Sequence, residues 1–271
     1  MSQALKVANS PTMPDPNPAL AKLGSKKDWM AIYKNIAGVQ DPQPSTDIKP
    51  VIDHEAIQQF LGELGYPLYF LDYETMSGLI PYFDGQRPYQ QVPFQYSLHV
   101  LESPEAELTQ KEYLHRDNSD PSRPLTEQLI KDIGDKGSVL VWFEGFEKAR
   151  NSELGDMLPE YKETMEAIND RVVDLMTPFK LKWYQDERFN GSASIKQVLP
   201  VLCPHLSYKE LGIQEGGSAQ RLWTEAILDE KRAEQKDQIL EDLIEYCKLD
   251  TLAMVEIFKI LKSSAISGKS A

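Results

Sequence analysis

Cysteine is scarce in this sequence, and a long apolar run is missing. Cys203 and Cys247 are the two cysteines among 271 residues, too few for a disulfide framework or for the ligand set of a structural zinc site. No stretch of about 18 apolar residues is present, so we do not expect a transmembrane helix. The first residues also lack the apolar core of a secretory signal. We therefore expect a cytoplasmic protein that makes no contact with a membrane.

Positive charge is also in short supply. Lys and Arg number 29 against 42 Asp and Glu, which gives a formal net charge of −13. This balance argues against a protein whose whole surface is a basic shell for DNA or for a membrane. It does not exclude nucleic acid, because a local basic groove or bound divalent cations could neutralise phosphate. The hydrophobic fraction of 41% is ordinary for a globular domain and sufficient for a core.

The first 50 residues differ in composition from the rest. They hold 7 of the 18 prolines, and the proline-rich stretch at 10–18 excludes a helix or a central strand there. We predict a Pro-rich N-terminal arm and linker over residues 1–50, with a short helix at 25–38. A folded domain follows over 51–265, and a disordered tail over 266–271. The arm is either a partly disordered segment or a docking segment for a partner.

From residue 51 onward, hydrophobic spacing predicts alternating strands and helices. Helices are expected at 53–64, 124–133, 146–154, 160–169 and 232–261, and strands at 66–73, 93–101, 108–115, 138–143 and 171–175. Three successive strands favour an antiparallel meander, and the later alternation favours parallel crossovers. The predicted fold class is α/β, with a mixed five-stranded sheet and helices on both faces. Residues 176–217 are predicted to be irregular and rich in aromatics.

Two carboxylates lie in the first of these strands, within the string FLDYET. Asp72 and Glu74 are two residues apart, so in a strand they project from the same face. Two like charges repel each other unless something positive compensates them, and a hard divalent cation with oxygen ligands does so. The motif is short, however, and one carboxylate could instead be solvated while the other caps a turn.

Further acidic residues occur on two later elements. Tyr246 and Asp250 are four residues apart in the long C-terminal helix and share one face. Glu144 and Glu147 stand at the start of a predicted helix, where the helix dipole also favours acidic residues. An ordinary polar helix edge explains each signal alone. If the elements meet at one edge of the sheet, four carboxylates become available, enough for two Mg²⁺ or Mn²⁺ ions in phosphodiester hydrolysis.

These motifs resemble those of the DnaQ-like, DEDD-type 3′→5′ exonucleases, which have an RNase H-like fold. Their first motif, Asp-x-Glu on the first strand, is matched by Asp72 and Glu74. Their third motif in the tyrosine subgroup, Tyr-x-x-x-Asp on a late helix, is matched by Tyr246 and Asp250. The second motif usually ends in an aromatic residue followed by aspartate, whereas Glu147 occupies the aspartate position here. This departure leaves the second metal position open.

The resemblance implies a role for each matched residue. Asp72 would bridge two metal ions, Glu74 and Asp250 would be further ligands, and Glu147 would be the provisional fourth ligand. Tyr246 would position the attacking water. The implied activity is two-metal-dependent 3′→5′ exonucleolytic hydrolysis of DNA or RNA, with single-stranded substrates expected.

A closer similarity is to an uncharacterised bacterial family of nuclease-like domains, often fused behind a RecB-like nuclease domain. The similarity covers about residues 66–261, and its landmarks are the strings RPYQQVPFQYSLHV, SASIKQVLP, LSYKELGIQEG and YCKLDTLAM. No RecB-like portion is recognisable in the sequence, and the arm is too short to be one. The resemblance therefore implies a stand-alone or excised version, and whether a RecB-like nuclease is its partner in trans stays open.

Residues 180–209 run against the acidic average and interleave cations with aromatic rings. Bases stack on aromatic rings while cations follow the phosphates, so this stretch is the candidate nucleic-acid surface: Lys180, Lys182, Trp183, Tyr184, Arg188 and Lys196. Lys196 is the strongest single candidate, because it follows plausible helix caps. A solvated loop with core aromatics explains the same stretch. Asp174 and Glu144 are expected beside the ligands, supporting them without binding metal.

Three functions remain open on this basis. The first is the metal-dependent exonuclease, favoured by the intact set of Asp72, Glu74, Tyr246 and Asp250. The second is a catalytically degenerate nuclease-fold module that only binds nucleic acid or a protein partner, favoured by Glu147 in place of aspartate and by the negative charge. The third is metal-dependent hydrolysis of a small phosphoester.

Overall fold

Within residues 49–267, the part of the chain that the computed structural model describes, the strands form a five-stranded and a two-stranded sheet. The strands are β1 Val51–Ile52, β2 Leu68–Met76, β3 Val92–Leu101, β4 Thr109–Leu114, β5 Ser138–Val141, β6 Val172–Asp174 and β7 Tyr184–Gln185. The larger sheet has the order β4-β3-β2-β5-β6, and β1 pairs with β7. β2, β3 and β4 are antiparallel, whereas β5 is parallel to β2 and to β6. The predicted mixed five-stranded sheet is confirmed.

The helices lie mostly between and after these strands. They are α1 His54–Gly62, α2 Ser122–Ile133, α3 Glu144–Met157, α4 Lys162–Asn169, α5 Thr177–Lys180, α6 Ile195–Leu202, α7 Gly216–Trp223 and α8 Lys236–Ser267. A π-helical turn, Thr224–Leu228, continues α7. In the described range, none of these helices is long and apolar enough to cross a membrane.

The folded domain begins where the sequence predicts, but its last helix ends later than predicted. β1 begins at residue 51, where the folded domain was expected to begin. α8 continues to residue 267, so the prediction of a disordered tail is wrong for residues 266 and 267. The predicted arm up to residue 48, its helix at 25–38 and the tail from 268 lie outside the described residues.

Alternation along β2 separates two cores, one on each face of the sheet. Leu68 and Phe70 pack into the core that contains α1, α6 and α8. Tyr69, Leu71 and Tyr73 pack into the core that contains α2, α3 and α4. Because successive side chains of a strand point to opposite faces, the residues at 72 and 74 continue the Phe70 face. The sheet is therefore covered by helices on both faces, and the two acidic positions face the side of α8.

The region 176–217 is more regular than predicted. It contains α5, β7, α6 and the first residues of α7. These elements are only two to eight residues long, and periodicity over so few residues is too weak to identify an element. In addition, Pro200 lies inside α6, although proline normally argues against a helix interior.

A buried polar cluster joins α8 to the middle of the sheet. The Oγ1 atom of Thr251 lies 2.8 Å from both Ser97 Oγ and His99 Nδ1 on β3. Burial, together with the charges of Lys248 and Lys259, lowers the pKa of His99 to about 4, so its ring is neutral at pH 7. The cluster fixes the position of α8 on β3 directly beside residue 250.

We predict that Thr251→Val destabilises the protein by about 1–3 kcal/mol, because it leaves the buried Ser97 and His99 groups without their shared partner. Thr251→Ser keeps the hydroxyl group and loses one methyl group, for which we expect a loss of about 0.8 kcal/mol. Urea denaturation of both variants measures these free energies of unfolding. Equal losses in the two variants would show that the hydroxyl group contributes nothing.

Candidate metal centre

Three carboxylates from two elements meet at the α8 face of the sheet. Asp72 and Glu74 come from β2, and Asp250 comes from α8. Each contributes one oxygen atom, and these three atoms all lie within 4.8 Å of one another. A register shift between β2 and β3 directly follows Glu74, between residues 74 and 75. Such bulges re-aim side chains at the ends of regular pairing. The meeting of Asp72, Glu74 and Asp250 that the sequence predicted is thus present in the structure.

Glu147, the fourth predicted ligand, reaches the same cavity from the first turn of α3. It is only 2% exposed, and it lines a cavity together with Asp72, Glu74 and Asp250. Its Oε2 atom is buried and has no hydrogen-bond partner among the described residues. It is not a member of the cluster whose oxygens lie within 4.8 Å. Glutamate therefore brings a free carboxylate oxygen to the cavity from a position slightly apart from the other three.

Burial raises the pKa of all four carboxylates, and repulsion by neighbouring carboxylates raises it further for Asp72, Glu74 and Glu147. For Glu74, burial and then the charge of Asp250 raise the pKa to about 8. For Asp250, burial raises the pKa to about 6, against opposing effects from a Tyr208 hydrogen bond and from Lys196. Burial also raises the pKa of Asp72 and of Glu147 well above the usual range. Without a cation, the fully ionised cluster is unfavourable.

The donor set suits a divalent cation. Carboxylate oxygens are the ligands that Mg²⁺ and Mn²⁺ prefer. The unpartnered Oε2 of Glu147 is a buried acceptor that lacks a donor, and such groups are rare in folded proteins. Asp72, Glu74, Asp250 and Glu147 would therefore hold the metal.

Two tyrosines support Asp250. The Tyr208 hydroxyl group donates a 2.6 Å hydrogen bond to Asp250 Oδ1, and the buried Tyr246 hydroxyl group lies near this carboxylate and lowers its pKa. Their rings lie 5.9 Å apart. Burial and the nearby carboxylates raise the pKa of both phenols, so both stay protonated. The sequence singled out Tyr246 but missed the role of Tyr208, for which the available signal was its place in the string LSYKELGIQEG.

The two residues expected beside the ligands behave differently. Asp174 is buried at the end of β6, and its Oδ1 accepts hydrogen bonds of 3.0 Å from the backbone N–H groups of Phe143 and Met176. It therefore holds the segment between β5 and α3 in place. Glu144 instead forms a 2.7 Å ion pair with Lys148 on the surface of α3, with its side chain 47% exposed. The prediction that Glu144 supports the metal ligands is wrong.

The cavity beside the carboxylates has a volume of about 330 Å³. One part of its wall is aromatic and consists of Trp142, Phe143 and Phe146. Another part consists of Lys196 and of Gly216 and Gly217 at the start of α7. The sequence identified Phe146 only as the aromatic residue of the second motif and did not place Trp142, Phe143 or α7 at the site, because the distance between these segments in the chain hides their common location.

Of the six residues predicted to contact nucleic acid, Lys196 lines this cavity. Its charge lowers the pKa of Glu74 and Asp250, and it has no hydrogen-bond or ion-pair partner among residues 49–267. Tyr184 is wrong as a stacking residue, because its ring is 6% exposed and packs against Phe179 and Phe189 in the core.

The other four predicted contacts do not line the cavity. The Trp183 ring packs against Phe60 of α1 with a centroid separation of 6.1 Å. The guanidinium group of Arg188 pairs with Asp186 two residues away. Lys180 and Lys182 are exposed at and just after the end of α5. Within the stretch 180–209, the rings of Trp183 and Tyr184 are therefore used in packing, and Lys196 is the predicted contact that lines the cavity.

Comparison with known proteins finds similarity to an uncharacterised family and to uncharacterised proteins, and none of these names an activity. Residues 69–194 match a family model described as "Domain of unknown function (DUF2779)". The chain is 28% identical over 208 residues to the uncharacterized protein MG366 of Mycoplasma genitalium, covering 69% of this chain and 31% of that protein. It is 28% identical over 211 residues to the MG366 homolog of Mycoplasma pneumoniae, covering 71% and 32%. The chain thus spans about a third of the length of these relatives.

No solved structure matches the chain. The match to an uncharacterised domain family agrees with the coarser resemblance expected from the sequence strings. The comparisons name no exonuclease, and the membership in the DnaQ-like superfamily stays a prediction. The family match includes Asp72, Glu74 and Glu147 but ends before Lys196 and Asp250.

We predict that the metal-free protein loses stability as the pH rises from about 4 to about 8. Over this window the folded state binds more protons than the unfolded state, because the carboxylate pKa values are raised on folding, that of Glu74 to about 8. Metal binds the deprotonated ligands, so Mg²⁺ or Mn²⁺ should raise the Tm more at pH 8 than at pH 5. Thermal unfolding in EDTA and in each metal measures both effects.

Glu74→Gln is the control for this prediction, because it removes one titrating group while keeping the side-chain size. The difference between the wild type and this variant should grow with pH in EDTA. A wild-type Tm that is unaffected by metal at every pH would contradict the metal site.

Proposed function

We propose that this chain is a divalent-metal-dependent exonuclease that removes nucleotides from the 3′ end of single-stranded DNA or RNA. The observation that carries the proposal is the close cluster of Asp72, Glu74 and Asp250, whose oxygens lie within 4.8 Å of one another. The 3′→5′ polarity and the RNase H-like ancestry come from the resemblance of these motifs to the DnaQ-like enzymes of the tyrosine subgroup. The mixed sheet with helices on both faces is compatible with that ancestry.

Two Mg²⁺ or Mn²⁺ ions are the proposed cofactors. Asp72, Glu74 and Asp250 would hold the first ion, and Glu147 would complete the site of the second, with Asp72 shared between them. When bound, such a pair supplies a Lewis acid that lowers the pKa of a water molecule and stabilises the leaving oxygen.

The surrounding residues of the chain have complementary roles. Tyr246 is buried beside Asp250 and remains protonated, so its hydroxyl group can orient a water molecule but cannot act as a base at neutral pH. Tyr208 holds Asp250 Oδ1 through its 2.6 Å hydrogen bond and so fixes the direction of that carboxylate. The low exposure of Glu74 and Asp250 strengthens each of these electrostatic contacts.

Lys196 is the proposed contact to the phosphate backbone. It stands opposite the acidic wall of the cavity and also lines a neighbouring cavity of about 570 Å³, together with Gln214 and Arg221. A cation at the junction of two cavities is placed to follow a strand that leaves the site. This local positive group reconciles a polyanionic substrate with a net charge of −13.

A second candidate is a binding module that has lost catalysis. Glu147 is the observation in its favour, because this residue departs from the usual aspartate and does not join the close cluster. In that case nucleic acid or a protein partner would bind without being cleaved. The relatives are about 2.5 times as long as this chain, which leaves room for a nuclease domain of the RecB-like kind to act beside it.

We predict that the protein degrades 5′-labelled single-stranded DNA or RNA into a ladder that shortens from the 3′ end. The ladder should require Mg²⁺ or Mn²⁺ and disappear in EDTA. Asp72→Asn should reduce the rate by at least about 100-fold, because the shared ligand loses its charge. Gel electrophoresis of a time course measures these rates.

Glu144→Gln is the matched control, since it also replaces a carboxylate by an amide. Glu144 lies on α3, one turn before Glu147, and pairs with Lys148 outside the cavity. The variant should degrade the strand at the wild-type rate. A folded wild-type protein that binds the strand but leaves it intact in every metal would contradict the exonuclease and favour the binding module.

A further inference from the structure

Phe143 adopts an unusual backbone conformation at the edge of the carboxylate cavity. Its φ is 83° and its ψ is 76°, in the left-handed region. This region suits glycine and asparagine, and a bulky side chain rarely occupies it. Strained residues of this kind persist only where the surrounding structure imposes them, and they concentrate at binding and active sites.

Contacts on both sides of the residue impose this conformation. The backbone N–H of Phe143 donates to Asp174 Oδ1 at 3.0 Å, and its carbonyl oxygen accepts from the N–H of Phe146 at 3.0 Å. The ring lies over Gly145, where a Cβ atom would be 3.6 Å from it. The side chain is thereby directed across the first turn of α3.

The ring of Phe143 is also exposed, at 52%. The two other aromatic residues of the cavity wall, Trp142 and Phe146, contact groups of the protein itself. Trp142 donates its indole N–H to Ala193 at 3.1 Å, and the Phe146 ring is covered by the Arg150 guanidinium group at 4.7 Å. A strained backbone is unfavourable for folding, and a half-exposed phenyl ring gains little free energy from burial to offset the strain.

We propose that Phe143 is a stacking platform for the unpaired base at the end of the strand, with the scissile phosphate at the Asp72, Glu74 and Asp250 cluster. The inference rests on the proposed function and deepens it. Phe143 and the carboxylates line one cavity of about 330 Å³, a size that suits a single nucleotide. Stacking on an aromatic face is tolerant of sequence, so the site selects an unstacked terminal base rather than a particular base.

A thermodynamic cycle tests this assignment with two proteins and two strands. The proteins are the wild type and Phe143→Gly, chosen because glycine adopts a φ of 83° without strain. The strands are a normal single-stranded DNA and the same DNA with an abasic 3′-terminal residue. Binding is measured in EDTA by fluorescence anisotropy, and kcat and KM for release of the terminal residue are measured in Mn²⁺.

Phe143→Gly should weaken binding and kcat/KM for the normal strand by about 5- to 100-fold, the loss expected from one base–aromatic stack. It should change neither value for the abasic strand, and its Tm should equal or exceed that of the wild type. A 3′-terminal 2-aminopurine should be quenched by the wild type but not by this variant. Phe143→Trp keeps an aromatic face and should restore the preference for the normal strand.

Two results would overturn the assignment. One is an equal loss on the normal and abasic strands, which would mean that the ring acts only through the fold. The other is a variant that matches the wild type on both strands. If the wild type neither binds nor degrades any strand, the proposed function itself fails. A wild type that degrades the strand while Phe143→Gly is unaffected removes only the stacking role.

Discussion

Four carboxylate side chains line one cavity in this protein, and their mutual repulsion must be offset for the chain to stay folded around them. The sheet and the C-terminal helix create this situation together. Strand alternation directs Asp72 and Glu74 to one face of β2, and α8 lies against that face and adds Asp250. The raised pKa values show that protons partly relieve the repulsion. A divalent cation would relieve it without removing the charges.

The residues around the cluster hold the acidic groups in place rather than neutralise them. Thr251 joins α8 to β3 next to Asp250. Gln95 on β3 donates to the carbonyl oxygen of Leu243, which lies earlier in α8. Asp174 anchors the segment that leads from β5 into α3, and so determines where Glu147 enters the cavity. The contacts of Thr251 and Gln95 are buried, and that of Asp174 is partly buried. Folding therefore brings four like charges together, and this repulsion lowers the free energy of unfolding.

Much of this arrangement follows from short-range regularities in the sequence. The spacing of Asp72 and Glu74 by two residues places both on one face of β2, and the spacing of Tyr246 and Asp250 by four places both on one face of α8. The alternation of strands and helices along the chain predicts the mixed sheet. The substrate wall was not predictable in the same way. Tyr184 and Tyr208 belong to one aromatic stretch, yet the first packs in the core and the second bonds Asp250. Only tertiary packing separates them. The left-handed Phe143 was equally hidden, because contacts with Asp174 impose it.

The most direct test of the metal site is anomalous diffraction from a crystal of the protein grown with Mn²⁺. We expect a strong peak surrounded by oxygens of Asp72, Glu74 and Asp250, and a second peak on the side of Glu147. Both peaks should vanish in Asp72→Asn. If no peak appears at saturating Mn²⁺, the carboxylates are neutralised by shared protons instead. That result would contradict the metal centre and with it the proposed chemistry.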